Sequence, residues 1–101
     1  MRKIEQDMLK ALRDRRDWQS GNTRVAFSEA QTLGVGAVYL HGSPITIVMS
    51  DGTMRAVQDT FNKYPTRTTA SRLRALGFGA SIRGGKPHLD RTQITARNQE
   101  G

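Results

Sequence analysis

The spacing of apolar and polar positions changes along the chain. In residues 3–17, Ile4, Met8, Ala11, Leu12 and Arg15 recur at three- and four-residue steps, while Lys3, Asp7, Lys10, Arg13 and Asp14 take the other faces. That spacing predicts an amphipathic helix whose apolar stripe needs a sheet to cover. Trp18 is expected to close the stripe in the core. Ser20-Gly21-Asn22 is expected to stop the helix and turn the chain, because Gly and Asn tolerate the left-handed conformation of helix C-termini.

From Thr23 the period becomes two, the period of strands. Thr23, Val25 and Phe27 alternate with Arg24 and Ala26, Val38 and Leu40 with Tyr39 and His41, and Ile45, Ile47 and Met49 with Thr46 and Val48. His41-Gly42-Ser43-Pro44 and Asp51-Gly52 supply turn chemistry, and a fourth strand is expected near Met54 to Gln58, giving an antiparallel meander. Met54, Val57, Gln58 and Phe61 also fit a helical spacing, so a short helix over 53–63 is the alternative to a strand there.

Pro65 discourages helix at Tyr64. A second helix of about two turns is expected after it, capped by Thr66 or Thr68 and ended by Gly77. Thr69, Ala70, Leu73 and Leu76 face the core on this helix. Arg67, Ser71 and Arg74 fall on the opposite side, with Arg72 on a flank. Phe78 to Arg83, Gly84-Gly85 and Lys86 to Asp90 read as a final hairpin with Arg83 and Lys86 at its tip and Pro87 on an edge. The expected class is α+β: an N-terminal amphipathic helix, an antiparallel β-meander, a short second helix and a C-terminal β-hairpin. Residues 1–94 form one domain in this reading, and 95–101 a flexible polar tail.

The chain has 101 residues and no Cys, so one small core must stabilise it without a disulfide or a Cys-based zinc site. No apolar run approaches the roughly 20 residues that span a bilayer, and the charged start is unlike a signal peptide. A soluble, cytoplasmic protein without membrane contact is expected. The net charge of +7 is concentrated. Residues 1–62 hold 8 basic and 7 acidic side chains, whereas Lys63, Arg67, Arg72, Arg74, Arg83, Lys86 and Arg91 face Asp90 alone in 63–91. Such a segment attracts a polyanion or an acidic protein surface.

Catalytic signals are poor. His41 and His88 lack helix-spaced metal-ligand partners, and nothing marks Ser43, with His41 and Asp51, as an activated nucleophile. Gly34-Val35-Gly36 lacks the third glycine of a dinucleotide fingerprint, and the acidic residues are too scattered to hold a magnesium ion. A non-enzymatic protein without cofactor or metal is expected. The informative run is Thr66-Arg67-Thr68-Thr69-Ala70-Ser71-Arg72-Leu73-Arg74-Ala75-Leu76-Gly77, followed by Ile82-Arg83-Gly84-Gly85-Lys86. Helix N–H groups and hydroxyls suit phosphate oxygens, and arginines reach phosphates or guanine edges. Arg67, Thr68, Ser71, Arg72, Arg74, Arg83 and Lys86 are therefore the candidate binding residues.

Over residues 66–90 the sequence resembles the recognition helix and wing of winged-helix proteins. That resemblance requires a packed helix immediately before the turn. A wider resemblance rests on Ile4-Glu5-Gln6-Asp7-Met8-Leu9, Gly21-Asn22-Thr23, Val38-Tyr39-Leu40-His41-Gly42 and Pro65-Thr66-Arg67-Thr68-Thr69 with Ser71-Arg72-Leu73 and Ala75-Leu76. In these segments the chain is similar to a group of small, uncharacterised bacteriophage proteins, commonly early or accessory products. The group carries no catalytic residues over and implies the host cell cytoplasm as the setting. The expected function is binding of nucleic acid, duplex DNA in preference to single strands, since aromatics other than Tyr64 and Phe78 are missing from the basic stretch. The alternative is a phage inhibitor that docks its basic face on an acidic host enzyme or defence complex, in host takeover or anti-defence. A virion component that self-associates through a sheet edge is a third reading.

Overall fold

Residues 2–27 and 34–95 are described by the computed structural model of the chain. Helix α1 spans Lys3–Arg13 and buries Glu5, Met8 and Ala11. It is shorter than the spacing implied. Arg15 adopts a left-handed conformation (φ 51°), and the N–H groups of Arg15 and Arg16 donate to the carbonyls of Leu12 and Ala11 at 3.2 and 3.0 Å. These bonds satisfy two carbonyls of the last turn and end the helix. Gly21-Asn22 consequently has a different task from the expected helix stop. It turns strand β1 (Trp18–Ser20) into β2 (Thr23–Ala26), with Ser20 opposite Thr23. Trp18 lies on β1, half-buried against the margin of the core.

The meander continues through β3 (Gly36–Leu40), β4 (Ser43–Val48) and β5 (Thr53–Ala56), every neighbouring pair antiparallel. His41 and Gly42 join β3 to β4 with φ values of 52° and 83°, as a two-residue hairpin turn of this hand requires. Residues 53–63 divide between the two expected alternatives. The strand ends at Ala56, Val57 donates its N–H to the Ile45 carbonyl at 2.9 Å, and a helix, α2, runs from Gln58 to Lys63. The expected strand up to Gln58 is thus corrected, because burying both Met54 on the sheet and Phe61 above it demands a change of direction between them.

Helix α3 (Arg67–Leu76) follows with Thr66 as N-cap, whose hydroxyl accepts the Thr69 N–H at 3.1 Å, and with Gly77 (φ 106°) at its end. Strands β6 (Ala80–Arg83) and β7 (Lys86–Leu89) form the expected hairpin. A last strand, β8 (Gln93–Thr95), pairs with β5 and completes a sheet in the order β1-β2-β3-β4-β5-β8. The architecture is α+β, an antiparallel sheet with the helices packed over it. Met8, Val25, Val38, Leu40, Ile45, Met54, Phe61, Leu73, Leu76, Phe78 and Ile94 make one core. Burial of each large side chain contributes about 1.5–3 kcal/mol. Of the expected polar tail, Thr95 belongs to β8, and residues 96–101 lie outside the described residues.

Candidate nucleic-acid interface

Of the seven candidate residues Arg72 faces inward and Ser71 is half-buried beside it. Thr69, Ala70, Leu73 and Leu76 bury the expected face of α3, and Arg72 is buried with them. Its guanidinium lies 2.8 Å from the Glu5 carboxylate, and its Nε donates to the Thr23 hydroxyl at 3.0 Å. Ser71 donates its hydroxyl to the same Glu5 oxygen at 2.5 Å. Burial pushes the Glu5 carboxyl up, but the hydrogen bonds from Ser71 and Arg72 and the Arg72 charge outweigh it and hold the group below its ordinary range. Arg72 is therefore corrected from a surface binding residue to part of an internal network that ties α3 to α1 and β2, which the half-buried Ser71 joins. A buried cation already paired with a carboxylate is out of reach of a phosphate.

The other candidates remain at the surface. Arg67 is exposed at the first position of α3, and Thr68 beside it is half-buried. Arg74 lies two turns further on, about 10 Å along the axis. It is exposed, although its Nε donates to the Ala80 carbonyl at 3.0 Å and so fixes the helix against the hairpin. Arg83 and Lys86 are both exposed and stand directly opposite one another across the hairpin. Between them Gly84 and Gly85 have φ values of 57° and 75°. Like charges in that relation destabilise a strand pair, and neither makes an ion pair among the described residues.

Arg2 was not singled out from the sequence. It lines an open groove of about 430 Å³ with Arg74 above Glu5 and Ser71, adding a cation to the α3 side. Helical spacing could have hinted at the internal network, since Glu5 and Arg72 each interrupt an apolar stripe, Glu5 beside Met8 and Arg72 beside Leu73 and Leu76. Among the described residues no three His, Cys, Asp or Glu side chains gather as metal ligands, and no helix is long and apolar enough to cross a membrane.

Arg67, Arg74, Arg83 and Lys86 are presented at the surface by one helix and one hairpin of a small antiparallel α+β protein. The chain belongs to the Kyanoviridae Gp96 protein family, a family of bacteriophage proteins, whose family model matches residues 1–96. The phage resemblance is thereby borne out. No curated protein and no solved structure matches the chain. The hairpin does follow α3 as a wing would, but the preceding helix has 6 residues and α3 is turned into the core, so the winged-helix likeness extends no further than that order of elements.

Proposed function

We propose that this phage protein is a non-enzymatic binder of duplex nucleic acid, acting in the host cytoplasm through the hairpin tip and the outer side of α3. The observation that carries the reading is the Arg83–Lys86 cross-strand pair, a repulsive contact that a row of phosphates would turn into an attractive one. Arg67 and Arg74 extend the cationic surface along α3, and Arg2 adds to it at the groove. Docking on an acidic host protein would use the same cations. The duplex is preferred because the exposed groups are cations carried on regular elements, suited to contacts along a regular phosphate backbone.

The test is fluorescence anisotropy of a labelled duplex at several salt concentrations. Four phosphate contacts give a log–log salt slope of about −3 to −4. The double variant Arg83→Glu/Lys86→Glu, at an exposed turn that leaves the core intact, should lower the magnitude of that slope by about 2 and weaken binding. Absence of binding by the folded wild-type protein near physiological salt overturns the reading and points to a host protein.

A further inference from the structure

A second cavity, of about 300 Å³, lies between the β3–β4 turn, α2 and the start of α3. Its floor is apolar, made by the buried side chains of Leu40 and Ile45. The hydroxyls of Ser43, Thr60 and Thr68 stand around that floor and make no hydrogen bond among the described residues. On the same wall Thr66 and Thr69 are already bonded to one another at 3.0 Å. Tyr64 forms part of the rim and is 44% exposed, which is unusual in this chain for a large ring. The Lys63 ammonium sits 5.6 Å from its centroid.

These features specify an occupant by chemistry. No carboxylate, Lys or Arg side chain is among the lining residues, and the one imidazole, His41, is exposed at the β3–β4 turn, so the cavity favours an uncharged group. The floor requires an apolar face. Three hydroxyls, each able to donate and to accept, match an edge that mixes donors and acceptors. An exposed aromatic rim offers a stacking surface to a flat ring. The volume is at the lower end of the roughly 300–1,000 Å³ of small-ligand sites, which limits the guest to a single ring system with little attached. A nucleobase has all of these properties, and Lys63 and Arg67, next in sequence to Tyr64 and Thr68, can meet its flanking phosphates outside the cavity.

We propose that this cavity receives one unpaired nucleobase. As to the partner, the proposal rests on the nucleic-acid reading above. As to the pocket, it stands independently, because a free nucleoside suffices to probe it. Hydroxyls rotate to suit either sense of hydrogen bond, so the pocket accepts purines and pyrimidines with only modest preference.

The experiment has two arms. Free adenosine and cytidine are titrated into the full-length ¹⁵N-labelled protein and followed by amide shifts, and binding to a fully paired duplex is compared by anisotropy with the same duplex carrying a one-nucleotide bulge or a bulged abasic site. The expected result is movement of the His41, Tyr64 and Thr68 amides with either nucleoside. The bulged duplex should bind roughly 5- to 160-fold tighter than the paired one, the range of base–aromatic stacking. Tyr64→Ala and the abasic site should each abolish that gain, with paired-duplex binding unchanged. Thr68→Val should reduce the gain while leaving the helix intact. Nucleosides that leave these amides unmoved, or a Tyr64→Ala loss equal for paired and bulged duplexes, overturn the proposal. Nucleoside binding without duplex binding upholds the pocket and overturns the hairpin reading.

Discussion

Replacing Glu5 by Gln is the sharpest test of how the helices are held. The side chains of Glu5 and Arg72 are 5% and 4% exposed, and their charged atoms are 2.8 Å apart. At an effective dielectric constant of about 20, attraction at that distance is about 6 kcal/mol, and desolvation of the two ions cancels much of it. The intact pair thus contributes little net stability, whereas removing one charge leaves the other buried and alone, at a cost of about 3–5 kcal/mol. Against the roughly 5–15 kcal/mol of a small domain this is a large fraction. Urea unfolding followed by the fluorescence of Trp18, the single tryptophan, should show a midpoint lowered by roughly 2 M. The double variant Glu5→Leu/Arg72→Met should recover most of the loss. The folded-state pKa of Glu5 lies below its ordinary value of 4.5, so its stabilisation is complete above that value and is lost as pH falls through the lower, folded one. Wild type should therefore lose stability on acidification more steeply than Glu5→Gln. A Glu5→Gln change under about 1 kcal/mol, or a double variant as unstable as the singles, would refute the argument.

Two further outcomes follow from local geometry. The Thr46 side chain is fully buried with an Oγ1 that lacks a hydrogen-bond partner, so Thr46→Val should stabilise the protein by about 1 kcal/mol in the same urea assay. Arg15 ends α1 in the left-handed region (φ 51°), and Arg15→Gly should raise stability by up to about 1 kcal/mol, with the helical circular dichroism unchanged.

Much of this fold is legible in the sequence, and the places where it is not have physical causes. The stripe of α1 shows in Ile4, Met8 and Leu12, but its end does not, because an arginine occupies the left-handed position that a glycine usually marks. Strands β1 and β8 have three residues each, too few for a period of two to stand out. Residues 54–61 satisfy both periods because they contain both elements in succession. At the candidate site, Arg67, Arg74, Arg83 and Lys86 are exposed where the charge pattern put them. Ser71 and Arg72 are not, because α1 covers the flank of α3, and the Glu5 contact joins residues 67 positions apart. Each charge interrupts an apolar stripe locally, but no local pattern says that the two meet.

The position of β8 bears on the order in which the chain can acquire its structure. The other ladders of the main sheet join strands that are consecutive in sequence, whereas Met54 pairs with Ile94 across both later helices and the hairpin. A ribosome adding about 5–20 residues per second leaves the β5 edge without its partner for seconds after the meander has emerged. During that interval an open edge is a template for pairing between chains. Arg55, exposed on β5, is a charge placed where it discourages such pairing. Strand β8 can join only when residues 58–92 have been synthesised, so the last strand of the main sheet is added after the cationic helix and hairpin are present.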